Sequence, residues 1–365
     1  MTDVLLAVLL VLGLLYLSLI FAFVFGIYRV RCGSASNTPA VTVVVPAHNE
    51  ADQLPACLAS LAAQTYPPDH TEIIVVNDRS TDQTLQVAQS WSDQLPGFQI
   101  LSVEQPLHAC PKKNALAHGI RAGTGTLILV TDADCRPPPD WISATVRCFE
   151  PEVGMVLGFA PLTWDGGFLN GLLALQSLVV NALAAGSAGV GFPLTCSGRN
   201  LAYRRTAFEE VGGFNAIGHI LGGDDVLLMR EMAHQTAWRI RFNPDKSAAV
   251  PSNPHADRQF QRQVRYQSKA IHDTTPVLIL AFAIYIFHLL LGFGPFFFGA
   301  NPSLWFAWGS IWTAKMLADG LLLGYTALRL ESPAALCWFP ILECLLIPYV
   351  VVFCALGVLK PSRWR

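Results

Sequence analysis

Of the 365 residues, 52% are hydrophobic and only 14% charged, against about 25% charged in an ordinary soluble domain. That excess, with a mean hydropathy of +0.41, excludes a wholly soluble globular chain, and a formal net charge of −2 excludes a nucleic-acid binder that works by bulk basicity. The charges are segregated: Asp3 is the single one before Arg29, eight lie beyond residue 273, and the rest fill the middle of the chain at near-normal density. Nine cysteines, an odd number with no CxxC pair, argue against a disulfide framework or a structural zinc site and for a reducing, cytoplasmic setting.

Residues 1–28 read as an N-terminal transmembrane anchor. The run Val4–Tyr28 is long enough to cross a hydrocarbon core of about 30 Å. It is longer than the apolar region of a signal peptide and lacks that peptide's basic start. Arg29 and Arg31 follow at once, which places the next segment in the cytoplasm.

Residues 40–273 read as one α/β domain. Val41–Val45 is a continuous β-branched run, as in a strand buried on both faces. Leu54, Leu58 and Leu61 mark a helix, Glu72–Val76 a second strand, and Ser80 with Gln83 a capping box for the helix that follows. Gln99–Val103, a helix around Ala115–Arg121 and the strand Thr126–Val130 continue the alternation. Such repetition predicts a parallel sheet with helices on both faces and ligands at the carboxyl ends of its strands.

Gly166–Gly198 is apolar enough to resemble a crossing, but Asn170, Gln176, Asn181 and several glycines interrupt it. A crossing there would also put the acidic motifs described below on opposite sides of a membrane. Residues 168–185 are therefore expected to form a helix lying in the interface, followed by a glycine-rich loop. The region 276–359 offers three more apolar stretches, about 276–299, 303–328 and 334–359, before a short basic tail, 360–365. Four crossings would leave Lys360, Arg363 and Arg365 on the far side, against the charge rule, so one stretch is re-entrant or interfacial and the topology stays open. Lys315 and Asp319, spaced i, i+4, are expected to neutralise each other. Glu343 has no such evident partner in sequence, and a functional role and contact with the Lys315 pair are equal expectations for it.

The strand ends carry the chemistry. The first finishes in PAHNE (Pro46–Glu50), the second in NDRSTD (Asn77–Asp82) and the fourth in TDADC (Thr131–Cys135). Asp132 and Asp134 stand two apart, so an extended strand end turns both to one side, a pairing that suits a hard divalent cation bridging to substrate phosphates. Further on, Arg258, Arg262, Arg265 and Lys269 recur at steps of four, three and four, forming one cationic stripe on a helix. It suits anionic lipid headgroups or the diphosphate of a nucleotide sugar. Trp164, Trp238 and Tyr203 are candidates either for an acceptor groove or for the core.

With these motifs in this order, residues 40–270 resemble the family 2 glycosyltransferases, inverting enzymes with the A fold. The resemblance implies that Pro46, Ala47, His48 and Glu50 border the nucleotide base and that Asp78 holds the uracil or ribose. It further implies that Lys112 of PKKNAL lies near the donor, and that Asp132 and Asp134 bind Mg²⁺ or Mn²⁺. CSGRNLAYRR (Cys196–Arg205) resembles the acceptor-side loop, with Gly198 and Asn200. GGDDVLL (Gly222–Leu228) resembles the ED-x-x-L motif, with Asp224 on the acceptor side and Asp225 as catalytic base. RQVRY (Arg262–Tyr266) resembles QxxRW, placing Arg262 and Arg265 at the donor diphosphate and Tyr266 at the acceptor. The chain departs from the family in Asn77, His48, Asp224, Arg262 and Tyr266.

The expected protein is thus a membrane-bound glycosyltransferase that moves one sugar from a nucleotide sugar, a UDP-hexose, to a lipid-like hydroxyl acceptor of glycolipid, carotenoid or polyprenyl type. It would lie among the lipids of the inner membrane, with no nucleic-acid partner. A processive polysaccharide synthase and an inactive scaffold are the alternatives.

Overall fold

The computed structural model describes residues 2–164, 166–253, 259–269, 274–332 and 334–359. Among the described residues seven strands form one sheet: β1 (Val41–Ala47), β2 (Thr71–Asn77), β3 (Phe98–Ser102), β4 (Leu127–Val130), β5 (Val153–Gly158), β6 (Leu201–Arg204) and β7 (Arg239–Asn243). They are ordered β3-β2-β1-β4-β6-β5-β7. The twelve α-helices of the described residues are α1 (Thr2–Arg29), α2 (Leu54–Ala62), α3 (Thr84–Gln89), α4 (Pro111–Ala122), α5 (Trp141–Val146), α6 (Phe168–Gly189), α7 (Arg205–Glu210), α8 (Val226–Gln235), α9 (Gln259–Ser268), α10 (Thr275–Phe293), α11 (Pro302–Arg329) and α12 (Phe339–Leu359).

The continuous apolar runs of β1, β2 and β4 are explained by burial on both faces. Val41, Val43 and Val45 pack with Leu54, Cys57, Leu58 and Leu61 of α2, while Val44, Ile74, Val76 and Ile128 turn to Ala115, Leu116 and Ile120 of α4. The period of two along a strand assigns alternate residues to the two cores.

The sheet is mixed rather than parallel throughout. β6 runs antiparallel to both β4 and β5, because the chain leaves β5, traverses α6 and re-enters at the carboxyl edge of β4, where Leu201 pairs with Val130. The loop before β6 is thereby brought beside the acidic end of β4. The Ser80–Gln83 capping box does not form. Asp82 Oδ1 instead accepts from the Thr84 N–H at 3.0 Å. Ser80 is drawn to the loop after β1, where its hydroxyl accepts from the Asn49 N–H at 3.1 Å. Asn49 and Arg79, at φ 57° and 55°, make the tight reversals that bring these two loops together.

Among the described residues four helical segments are long and apolar enough to cross a membrane: Val4–Arg29, Phe168–Gly189, Thr275–Phe297 and Leu336–Gly357. α6 continues to Gly189 instead of giving way to a loop after Ala185. Its middle is fastened to the end of β5, since Asn181 Oδ1 accepts from the Ala160 N–H at 3.2 Å and Ser177 Oγ donates to the Ala160 carbonyl at 3.3 Å. Its glycines serve packing: a Cβ at Gly26 of α1 would collide with the Gly186 carbonyl, and one at Gly186 would lie 2.6 Å from Phe23 Cβ. Small residues let the two backbones touch, as in helix pairs within lipid.

Lys315 pairs with Asp319 at 2.7 Å, as its spacing predicts, and also with Glu343 of α12. The Tyr16 hydroxyl of α1 donates to Asp319 at 2.9 Å. Three helices thus share one buried ionic cluster, an arrangement that satisfies charges which are costly to bury singly.

Gly26→Val is expected to destabilise the protein by about 1–3 kcal/mol through overpacking. Gly309→Ala in α11, where an added Cβ meets nothing within 4 Å, is expected to cause no loss. Thermal unfolding in detergent compares the two, and equal midpoints would refute the close α1–α6 contact.

Candidate active site

The carboxyl ends of β1, β2 and β4 converge, and each contributes a loop. β1 ends in Pro46 and Ala47. The following loop is laced to the end of β2 through His48 Nδ1, 2.7 Å from the Asp78 carbonyl oxygen, and the Glu50 N–H, which donates to Thr84 Oγ1 at 2.8 Å. Asp78 is buried and its carboxylate accepts from Arg79 Nε at 2.8 Å. Pro46, Ala47, His48, Glu50 and Asp78 therefore form one group at one corner of the sheet. Asn77 Oδ1, at the end of β2, is buried with no hydrogen-bond partner, an open acceptor beside this group.

On the other side of the β4 end lies a cavity of about 540 Å³, lined by Asp132, Asp134 and Asp225 together with residues of α6, α8, α9 and α12. Lys112, in the first turn of α4, reaches between the acidic groups: its Nζ is 2.7 Å from Asp132 and 3.2 Å from Asp224. Burial alone would lower the Lys112 pKa, but the charges of Asp132 and Asp224 outweigh it and hold the ammonium well above its ordinary value. The neighbouring Lys113 points away into the protein, donating to the carbonyls of Ile217 and Ile220 at 2.6 and 3.0 Å.

Asp225 is the N-cap of α8. It accepts from the Val226 N–H at 2.7 Å and the Gly198 N–H at 3.1 Å, and lies 3.3 Å from Lys269 Nζ. Burial would raise its pKa, yet Lys269, Lys112 and the two N–H donors hold it at about 2. A Cβ added at Gly198 would lie 3.0 Å from Asp224 Oδ2 and 3.2 Å from Lys112 Nζ, so these side-chain ends would have to give way to it. Glu50 has the opposite character. Burial first, then the charges of Asp134, Asp132 and Asp82, push its pKa to about 7.

Asp132, Asp134, Asp225, Arg265 and Tyr266 line this one cavity; Lys112 pairs with Asp132 and Asp224, and Gly198 donates its N–H to Asp225, just behind that lining. Asn200 does not belong to its lining. Its buried amide donates to the Phe159 and Ala248 carbonyls at 2.9 and 2.7 Å and accepts from Trp141 Nε1 at 2.9 Å, so it pins the sheet rather than facing an acceptor. Arg258 and the side chain of Arg262 lie outside the described residues. Tyr203 belongs to the core. Trp238 donates to Glu210 at 2.8 Å and Trp164 packs edge-on against Trp338; neither is among the cavity's lining residues.

Sequence reasoning missed the neutral floor of the cavity. Gln176 of α6 and Gln263 of α9 exchange hydrogen bonds at 3.1 and 3.0 Å. The Tyr349 hydroxyl of α12 donates to Gln263 Oε1 at 2.7 Å, and Gln267 Nε2 donates to Tyr349 at 3.2 Å. The polar interruption at Gln176 was visible in the chain; its partners were not, being contributed by two distant helices.

Residues 42–212 match the sequence model of Glycosyl transferase family 2. The matched stretch is just under half of the chain. The chain is 29% identical over 210 residues to a probable glycosyltransferase, YdaM, of Bacillus subtilis, covering 56% of this chain and 49% of that protein. It is 26% identical over 223 residues to the glycosyltransferase AglE of Haloferax volcanii, covering 61% of this chain and 70% of that one. It therefore spans between about half and seven-tenths of the length of these relatives. Among solved structures, the mannosyltransferase PcManGT of Pyrobaculum calidifontis, in complex with GDP-Man and Mn²⁺, superposes with a TM-score of 0.64 at 22% identity, covering 98% of this chain and all of that one. The likeness establishes the nucleotide-diphospho-sugar transferase A fold.

Because Glu50 titrates higher when folded, its contribution to stability is complete below about pH 4, the ordinary carboxylate value, and is lost as pH rises through about 7. Glu50→Gln is therefore expected to raise the metal-free unfolding midpoint at pH 8 and leave it unchanged at pH 4. Equal midpoints for the two proteins at both pH values would remove Glu50 from the acidic cluster.

Proposed function

We propose that this protein is a membrane-bound, inverting glycosyltransferase that moves a single sugar from a nucleotide sugar, a UDP-hexose, to the hydroxyl of a lipid-like acceptor. The observation that carries the reading is one cavity into which Asp132, Asp134 and Asp225 all face, whose remaining wall includes Leu173 and Val180 of α6 and Tyr349 of α12. Acidic chemistry meets, at that wall, two helices apolar enough to cross a membrane. A hydroxyl carried on an apolar chain fits such a junction. The catalytic domain then faces the cytoplasm, in keeping with Arg29 and Arg31 after α1.

In this reading the loops after β1 and β2, with Pro46, Ala47, His48, Glu50 and Asp78, form the corner that receives the nucleotide, and Lys112 with Arg265 takes the diphosphate, joined by Arg262 on the resemblance of RQVRY to the family's motif. Asp225 accepts the acceptor's hydroxyl proton as that oxygen attacks the anomeric carbon from the face opposite the diphosphate, so the configuration inverts. Tyr266, half-exposed on the lining, orients the acceptor beside Gly198.

Asp132 and Asp134 suit Mg²⁺ or Mn²⁺. Among the described residues no group of three His, Cys, Asp or Glu side chains gathers to hold a metal, so Asp132 and Asp134 are the residues that would hold such an ion. Bound there, such an ion would stabilise the charge of the departing diphosphate.

The test uses detergent-solubilised protein, a panel of UDP- and GDP-sugars with Mg²⁺ or Mn²⁺, and added lipid extract. Wild type is expected to release nucleoside diphosphate only when lipid is present, with one sugar per labelled lipid, and Asp225→Asn to lower the rate by about 100-fold or more. Equal rates would remove Asp225 as base. Long polymeric products would replace single transfer with processive synthesis, and no release with any donor would overturn the transferase reading.

A further inference from the structure

The ion pair between Lys269 and Asp225 conflicts with the work assigned to that carboxylate. A base must take a proton from a weakly acidic hydroxyl, yet Asp225 is held as an anion by an ammonium at 3.3 Å and by two N–H donors at 2.7 and 3.1 Å. Both side chains are largely enclosed, at 13% and 16% exposure, so water screens the pair little. Asp225 in this state is a weaker base than an ordinary carboxylate.

We propose that Lys269 exchanges partners during the reaction: in the free protein its ammonium masks Asp225, and the donor's diphosphate draws it away, so that donor binding unmasks the base. The inference rests on the transferase reading above and adds to it a residue and an order of events.

Position supports the exchange. Lys269 stands one turn beyond Arg265, and both line the cavity. Both also lie over the ring of Tyr266, at 5.6 Å for Lys269 Nζ and 6.0 Å for the Arg265 guanidinium, so the ammonium sits among groups placed for phosphate. Its main-chain carbonyl accepts from Arg230 Nη1 of α8 at 3.3 Å. The backbone is thereby tied to the helix that Asp225 caps, while the charged tip, on a flexible four-carbon stem, is able to swing. Lys112 shows the same arrangement at the other acids, resting on Asp132 and Asp224. Each lysine thus occupies a carboxylate in the free protein, and a diphosphate offers it more negative charge than the carboxylate does.

Once Lys269 leaves, Asp225 regains basicity by losing its nearest cation. The acceptor O–H proton then passes to its carboxylate as the new C–O bond forms, and the bond between the anomeric carbon and the diphosphate breaks. The electron pair departs with the diphosphate, whose charge Lys269 now meets. Without donor the base stays masked, which orders donor before acceptor activation.

The test is calorimetric titration of the full-length protein in detergent with UDP and with GDP, each with Mg²⁺, using wild type, Lys269→Gln, Lys269→Arg, Asp225→Asn and the double variant Asp225→Asn/Lys269→Gln. Lys269→Gln is expected to weaken nucleoside diphosphate binding about tenfold, or about 1.4 kcal/mol, with Lys269→Arg close to wild type. Asp225→Asn is expected to bind more tightly than wild type, since Lys269 is no longer held, and the double variant to bind no better than Lys269→Gln, a coupling that simple repulsion would not produce. If the gain from Asp225→Asn persists without Lys269, or is absent, the exchange is overturned while the transferase reading stands. If wild type binds neither UDP nor GDP, the transferase reading fails and the exchange with it.

Discussion

The pairing of Lys112 with Asp132 and Asp224 is the interaction on which the site depends. Asp132, Asp134, Asp224 and Asp225 meet at one end of the sheet, where like charges in a partly enclosed space repel. Lys112 enters from the start of α4 and Lys269 from the end of α9, so the cations come from elements on either side of the acids. The first turn of α4 is set by Pro111 at its start, and the buried tether of Lys113 to the Ile217 and Ile220 carbonyls holds it in place. Adjacent lysines thus divide between anchoring the helix and balancing the acids.

The mixed sheet makes that meeting happen. Antiparallel pairing of β6 with β4 sets Leu201 opposite Val130, so the loop carrying Gly198 lies beside the loop carrying Asp132. Gly198 then donates its N–H to Asp225 and leaves room for Lys112. The detour that permits this reversal is α6, and α6 is the element that brings apolar surface to the site. One topological choice therefore both assembles the acids and opens them toward the membrane-type helices.

The amides of Gln176, Gln263 and Gln267 with Tyr349 join α6, α9 and α12 in one hydrogen-bonded set. These neutral groups satisfy one another where charges would be costly. They also fix the angle at which α9 presents Arg265, Tyr266 and Lys269 to the cavity. The ionic cluster of Lys315, Asp319, Glu343 and Tyr16 holds α11, α12 and α1 together further along, and the touching glycines of α1 and α6 complete the linkage back to the sheet.

Short-range order in the sequence determined the first four strands, most of the helices, the apolar segments and the pairing of Lys315 with Asp319, because periodicity and spacing act within a few residues; β5, β6 and β7 were not legible there. It also placed the acidic strand ends on one edge, since consecutive strands of an α/β alternation finish on the same side. What only the tertiary structure decided were contacts between residues far apart in the chain. These include the reversal of β6, the capture of Ser80 and Asp82 by the loop after β1, the choice of the Lys315 pair over a functional role for Glu343, and the withdrawal of Asn200 into the interior. The masking of Asp225 by Lys269 is of the same kind: the stripe on α9 was legible as a charge pattern, but which anion it meets depends on the angle between α8 and α9. That angle is set by packing against α6 and α12, and no local pattern in the sequence encodes it.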